Sequence, residues 1–340
     1  MTGAGAARRI AVTGASGFIG SAVLRAALGR RLAVTGFSRR ALAVDGAVDG
    51  AEWVRGDLAD RRLLESALRG ADAVVHAAGL AHRTGGLPPD AWRIANVDGT
   101  RAVVEAAAAV GVGRVVVVSS VAVYGSHGHV VDESTVCRPV GAYATSKRQA
   151  ELEARRIADR ASLALCLVRP ATVAGAGDPG SVARLARLLH ADRFVALGDG
   201  SARKCLIGVD DVADALLRIA TAEIPDDGTY NVAGTPVSLA QIVEVLASAL
   251  GAGGPRLRIP QRVVRLALTA LTSVEHRSSR AGWASHGLRA WLADHVYDVS
   301  RFEGRYGALV RTPWSDVLRQ EAHWLRGELG EPLNGSPRGA

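Results

Sequence analysis

Gly14, Gly17 and Gly20 recur at intervals of three just after the apolar run Ile10-Ala11-Val12, and this stretch constrains the fold more than any other. A short apolar run with β-branched ends predicts a buried strand. Phe18 to Leu28 predicts an apolar helix that closes near Gly29. A strand, a glycine turn and a helix form a cradle for a pyrophosphate. Glycine lets the backbone come close to the ligand, and the helix N-terminus offers free N–H groups and a positive dipole end. Gly14, Ser16, Gly17, Phe18 and Ile19 are the residues expected to line it. The spacing is G-x-x-G-x-x-G rather than G-x-G-x-x-G. On this stretch alone, a tight turn without a ligand stays open.

The chain beyond the turn repeats the pattern. Leu32 to Phe37 predicts a second strand, followed by Ser38, Arg39 and Arg40. An acidic residue there would hold the ribose 2′-hydroxyl of NAD, whereas an arginine pairs with the 2′-phosphate of NADP. No carboxylate occurs before Asp45. NADP(H) is therefore favoured, with NAD as the alternative. Glu52 to Arg55 predicts a third strand running into Gly56-Asp57-Leu58, and Asp60 caps a helix through Leu68. Ala73 to His76 predicts a fourth strand. Ala77, Ala78 and Gly79 follow it, small enough to admit a cofactor, and His76 reads as a packed histidine. Leu80 to Pro89 is loop-like, and a long helix then runs to about Val110 with Asn96 and Gly99 inside it. Arg114 to Ser119 is a valine run typical of a strand buried on both faces. It leads into Ser119-Ser120-Val121. Gly141 opens a further helix, and Leu163 to Val168 predicts a sixth strand closed by Arg169-Pro170.

Strands alternating with helices after a glycine turn predict an α/β fold. The form expected is a Rossmann-type doubly wound parallel sheet with a smaller C-terminal substrate-binding region. Residues 1–170 are expected to form the NAD(P)-binding domain, completed by part of 205–235. Residues 171–327 form mainly the substrate-binding region, and 328–340 a flexible tail. Ligands of such sheets bind beyond the C-terminal strand ends. The glycine turn, Ser38, Asp57, His76 to Gly79, Ser119-Ser120 and Arg169-Pro170 all fall at such ends.

Past residue 170 the pattern weakens. Helices are expected over Val182 to His190, Asp210 to Thr221 (amphipathic), Ser238 to Leu250 and Trp314 to Arg326, with short strands at Cys205 to Val209 and Tyr230 to Val232. Arg262 to Thr272 is apolar with a basic edge. It reads as a core helix, and contact of Arg256 to Arg280 with a membrane surface is the alternative. The basic stretch from His276 to Asp294 receives no assignment.

Composition narrows the class. With 48% hydrophobic and 22% charged residues over 340, the chain can bury a sizeable core. Cys137, Cys166 and Cys205 lack metal-ligand spacing, so no metal is expected. Their odd number points to free thiols in a reducing, cytoplasmic compartment. The segment Met1 to Ala7 is too short and too polar for a signal peptide, and no run of about twenty apolar residues offers an integral membrane segment. The net charge of +8 suits anionic small ligands. The arginines are scattered and only four Phe accompany them, which argues against nucleic acid.

Tyr143 and Lys147 lie four apart on the helix opened by Gly141, and so share one face. An ammonium near a phenol favours the phenolate and is expected to lower the tyrosine pKa. That makes Tyr143 a usable general acid or base. Ser120, at the end of a neighbouring strand, is placed to hydrogen-bond the same substrate oxygen. The three together form a device that moves a proton at a carbinol or carbonyl while a nicotinamide moves the hydride.

With these residues in place, the chain resembles the extended short-chain dehydrogenase/reductase family, and within it the nucleotide-sugar epimerases, dehydratases and 4-ketoreductases. The matching stretches are Thr13 to Gly20, Gly56-Asp57-Leu58, His76 to Gly79, Asn96 to Thr100, Ser119 to Gly125, Tyr143 to Lys147, Arg169-Pro170 and Val209 to Ala213. The resemblance implies Tyr143 as acid/base, Lys147 lowering its pKa and holding the nicotinamide ribose, Ser120 orienting the substrate, and Asp57 near the adenine. It also implies a nucleotide-diphosphate sugar as substrate and a homodimer. Leu58, Asn96, Ser119 and Pro170 join the cofactor-binding set, and Val121 the substrate side. The dehydratase branch carries an Asp-Glu pair directly after the position of Ser120. Here Val121 and Ala122 stand there, which argues against elimination of water. A basic residue that grips the diphosphate falls in the family near Arg203 and Lys204. The aromatic or histidine residues usual in that stretch are replaced by Cys205, Leu206 and Gly208. The expected activity is NADPH-dependent reduction of a nucleotide-linked 4-keto sugar. The alternatives are an NAD-dependent 4-epimerase and a non-catalytic NADP-binding protein.

Overall fold

The computed structural model describes residues 8–40, 50–81, 87–88, 90–274 and 291–329. Readings that fall on Met1 to Ala7, on residues 41–49 (among them Asp45), on 82–86 and 89, on 275–290 and on 330–340 lie outside the described residues.

The first apolar run forms β1 (Arg9–Thr13), the glycine turn follows, and α1 (Phe18–Gly29) leads to β2 (Ala33–Ser38). Next come β3 (Ala51–Arg55), α2 (Arg61–Leu68) and β4 (Ala73–His76), then α3 (Gly99–Ala109), β5 (Arg114–Val118), α4 (Gly141–Ala161) and β6 (Ala164–Pro170). With β10 (Thr229–Val232) these strands form a seven-stranded sheet in the order β10-β6-β5-β4-β1-β2-β3, every pair parallel. The order turns back on itself between β1 and β4, which opens a crevice at their C-terminal ends.

Alternation along the strands divides the core. Ile10 and Val12 of β1 and Val116 and Val118 of β5 pack on one face with α1 and with α6 (Val209–Thr221). Ala11, Val115 and Val117 pack on the other face with α2, α3 and α4. Both faces are covered, which is why the strands read as unbroken apolar runs. Asp60 caps α2 as expected, accepting the Leu63 N–H (3.1 Å).

Two helical stretches depart from expectation. The helix expected from the loop to Val110 begins as a π-helical turn, Arg93–Asp98, before α3. The wider turn aims Asn96 inward. Helix α6 is buried almost all round rather than amphipathic, because it packs on α1 and the sheet. Its buried Asp214 gathers Arg30, Arg218 and Arg311, and Asp211 accepts the Arg311 and Thr312 N–H groups.

The remaining elements form a smaller unit. Strands β7 (Thr172–Ala174), β9 (Arg203–Gly208) and β11 (Pro236–Ser238) make a three-stranded sheet, and β8 (Val195–Leu197) pairs with β12 (Leu257–Ile259). Helices α5 (Ser181–His190), α7 (Leu239–Leu250) and α10 (Trp314–Glu328) build a separate core with Leu206 and Ala174. The short α9 (Ser300–Tyr306) returns Phe302 to the core of the main sheet. Ser238 caps α7 through a full capping box with Gln241.

One expectation is overturned. Helix α8 (Gln261–Val274) is not a core helix. Val264 is buried, but Val263, Leu266, Ala267 and Ala270 are exposed. Periodicity gives a helix an apolar face without specifying what covers it.

Candidate active site

The glycine turn sits at the C-terminal end of β1. Gly14 adopts φ +70°, and a Cβ there would lie 2.5 Å from the Ala78 backbone. The turn and the Ala77-Ala78 segment after β4 can therefore approach this closely only through glycine. The N–H groups of Gly14 and Ala15 donate to the Phe37 carbonyl (2.9 and 3.3 Å), and the Gly17 N–H donates to the Gly14 carbonyl (2.8 Å). Gly17 is the N-cap of α1. No side chain caps the helix and no acidic residue occupies its first turn, so its N-terminus suits a phosphate. These residues fit a dinucleotide.

The other predicted cofactor residues ring the same end of the sheet. Ser38 is buried, and its hydroxyl donates to the Arg40 carbonyl. Arg39 and Arg40 are exposed at the end of β2. The exposed Asp57 accepts the Ala59 N–H (2.9 Å), and Leu58 is half-buried. A Cβ at Gly79 would lie 3.0 Å from Asn96 Oδ1 and 3.4 Å from Lys147 Nζ. Asn96 accepts the Leu80 N–H (2.7 Å) and donates to the Leu80 carbonyl (3.1 Å) and to Ser146 Oγ (2.9 Å). It thus ties the Gly79–Leu80 segment to α4. Pro170 is buried at the end of β6. His76 is a packed residue: its ring nitrogens meet Thr13 Oγ1 (2.7 Å) and Thr100 Oγ1 (3.0 Å). Burial, and after it the Lys147 charge, pushes its pKa down to about 3, so it is neutral.

Ser120 and Tyr143 are brought together. Ser120 caps a 3-10 turn, Val121–Tyr124, by accepting the Ala122 N–H (3.1 Å), and its hydroxyl stands near enough to Tyr143 to favour the phenolate. Val121 is buried beside it. Lys147 donates to the Val118 carbonyl at the end of β5 (2.8 Å). Its pKa falls to about 8, lowered by burial and partly restored by Glu151. The expected lowering of the Tyr143 pKa is corrected. Burial raises it, the nearby Ser120 hydroxyl opposes that, and Lys147 is turned toward a carbonyl. Tyr143 therefore keeps its proton at neutral pH, the form a general acid needs.

Ser119, expected in the cofactor set, is buried and donates to Glu151 (2.6 Å). Arg203 is exposed and paired with Asp294 (2.8 Å). Lys204 is half-buried and donates to the Ala293 carbonyl (2.6 Å), and burial lowers its pKa to about 8. Neither contact brings these two residues to Tyr143.

Several residues escaped the sequence reading. Glu151 follows Lys147 by four positions on α4 and takes a two-pronged ion pair from Arg169 (2.8 and 2.7 Å). Arg169 also donates to the Tyr124 hydroxyl (2.8 Å), which donates to Asn231 (2.7 Å). The four-residue spacing from Lys147 was the only local signal for Glu151. Its partners come from distant strands and left no local signal. Trp92 meets the Tyr143 ring edge-on, centroids 5.7 Å apart.

The model of the NAD dependent epimerase/dehydratase family matches residues 10–233. The chain belongs to this family. It is an NAD(P)-dependent enzyme of the extended short-chain dehydrogenase/reductase type. A 2-alkyl-3-oxoalkanoate reductase of Stenotrophomonas maltophilia (strain K279a) is 34% identical over 255 residues, covering 72% of this chain and 76% of the relative. The N-acetyl-alpha-D-glucosaminyl-diphospho-ditrans,octacis-undecaprenol 4-epimerase of Escherichia coli O157:H7 is 29% identical, covering 74% and 75%. Among solved structures, MoeE5 in complex with UDP-glucose and NAD is 27% identical, with a TM-score of 0.73 over 94% of this chain and 99% of MoeE5. The family thus includes reductases and epimerases, and its bound cofactor is a nicotinamide dinucleotide. Among the described residues no group of His, Cys, Asp and Glu could hold a metal ion, and no helix is long and apolar enough to cross a membrane.

Proposed function

We propose that this family member is an NADPH-dependent ketoreductase whose substrate is a nucleotide-linked 4-keto sugar. The observation that carries the cofactor choice is the pair of exposed arginines, Arg39 and Arg40, at the C-terminal end of β2. A guanidinium there suits a 2′-phosphate. A bound nicotinamide cofactor supplies the hydride to the ketone carbon. Tyr143 gives its proton to the ketone oxygen, Ser120 orients that oxygen, and Lys147 holds its charge beside them. A proton held firmly on Tyr143 supports the reductive direction. The nucleotide-sugar class is supported by the UDP-glucose of MoeE5. Arg203 and Lys204 are the candidate partners of the diphosphate. The homodimer implied by the resemblance belongs to the same reading; Leu152 on α4 is 55% exposed.

A second reading, a 4-epimerase that keeps NAD bound, is favoured by the NAD in MoeE5 and by the undecaprenol-linked epimerase among the relatives. The test is a fluorescence titration of the purified protein with NADPH and NADH, after assay for nucleotide carried through purification. Exchangeable NADPH bound in preference to NADH is the expected result. Tightly retained NAD puts the epimerase first. Arg39→Ala should weaken NADPH by about tenfold and leave NADH nearly unchanged, since one charge-assisted contact is lost. Equal losses would remove Arg39 from the 2′-phosphate site.

A further inference from the structure

Helix α8 presents an apolar stripe to the outside. Val263, Leu266, Ala267 and Ala270 recur at i, i+3, i+4 and i+7, the spacing by which a helix normally buries one face. All four are exposed, Leu266 by 72% and Val263 by 52%, while Val264 beside the stripe is buried and anchors the helix. Helical geometry places Arg262, Arg265 and Thr269 along one flank of the stripe, and all three are exposed. Arg256, Leu257 and Arg258, just before the helix, are exposed too. From Val245 to Val274 the chain carries four arginines and no aspartate or glutamate. Asp199, outside that stretch, is within electrostatic reach of Arg265. The base of the helix is firm. β12 pairs with β8, the Gly198 N–H donates to the Ile259 carbonyl (2.9 Å), and the Arg256 N–H donates to the Phe194 carbonyl (2.9 Å).

We propose that α8 docks the protein on the surface of an anionic lipid bilayer. The Val263–Leu266–Ala267–Ala270 stripe enters the boundary between headgroups and acyl chains, and the arginines lie against lipid phosphates. Apolar side chains beside arginines are what an interfacial helix requires. The arginine stems cover apolar surface while their heads reach the phosphates. A second copy of the chain is a poorer occupant. A twofold pairing of α8 on α8 sets the same patch against itself, arginines facing arginines with no carboxylate within the helix to receive them. The proposal does not rest on the ketoreductase reading.

The test is flotation of the full chain with vesicles of phosphatidylglycerol and phosphatidylcholine in equal parts, against vesicles of phosphatidylcholine alone. The protein should float with the anionic vesicles and stay behind with the neutral ones. Leu266→Glu should abolish flotation. Arg262→Ala and Arg265→Ala should each weaken it about fivefold at low salt. These positions are exposed, and unchanged cofactor binding by each variant verifies that it is folded. Three outcomes overturn the proposal: no flotation with the anionic vesicles, flotation indifferent to Leu266→Glu, or a dimer that Leu266→Glu splits in size-exclusion chromatography while vesicles capture nothing. The last assigns the stripe to a second copy.

Discussion

At the scale of single residues, chemistry in this site depends on which group holds a proton. Tyr143 holds its own above the ordinary tyrosine value because it is buried. Tyr143→Phe removes the proton that this mechanism transfers to the substrate oxygen. Turnover should fall by about 10²–10⁴-fold, while cofactor affinity measured by fluorescence stays as it was. Wild-type turnover would remove Tyr143 from the mechanism. Lys147 titrates at about 8 because burial disfavours its charge. Its ammonium is present at pH 7 and lost as pH rises through 8. The kcat/KM for ketone reduction should therefore decline above pH 8. A profile flat to pH 9.5 would show that the Lys147 charge takes no part. Tyr143 and Lys147 were legible because their spacing puts them on one helix face, and Ser120 because it ends the valine strand. Spacing did not reveal the sign of the Tyr143 shift, which burial by distant residues decides.

At the scale of elements, the buried network on α4 sets where the trio stands. Glu151, Arg169, Ser119, Tyr124 and Asn231 join α4 to the ends of β5, β6 and β10. Burial pushes the Glu151 pKa up, but the Arg169 bonds prevail and hold it below its ordinary value. Glu151→Gln leaves the Arg169 guanidinium buried against a neutral amide. Urea unfolding should show a loss of about 3–5 kcal/mol. Replacing both residues with leucine should recover part of it. A loss below about 1 kcal/mol would mean that the network is idle. The central strands β1, β4, β5 and β6 were legible because apolar runs buried on both faces leave a clear pattern. β7, β8, β11 and β12 were not, being three residues long and defined by their partners. Helix α8 was legible as a helix but not as a surface one, since its apolar stripe looks the same whatever it faces.

At the scale of the whole molecule, two buried groups on different units set how stability follows pH. Glu321 of α10 is fully buried. One of its oxygens accepts the Gly175 N–H (3.1 Å) and the other has no hydrogen-bond partner. Burial, and after it the charge of Asp178, raises its pKa from 4.5 to about 8. The folded state thus binds a proton that the unfolded state releases, and the stability this brings is lost as pH rises from 4.5 to 8. His76 in the main sheet runs the other way. Its folded pKa of about 3 lies below the ordinary 6.5, so stability is lost as pH falls from 6.5 to 3. Between 4.5 and 6.5 the two slopes oppose each other and cancel. Above 6.5 Glu321 acts until Lys147 and Lys204, both lowered from 10.5 to about 8, begin to restore stability at higher pH. Urea unfolding should therefore show a loss of about 2 kcal/mol between pH 6.5 and 8. Glu321→Gln keeps the shape and the acceptor for Gly175 but cannot ionise, so it should flatten this limb and leave the acid limb of His76 in place. If the variant keeps the wild-type slope between pH 6.5 and 8, another group controls that limb, and Glu321 is ionised in the folded protein despite its burial.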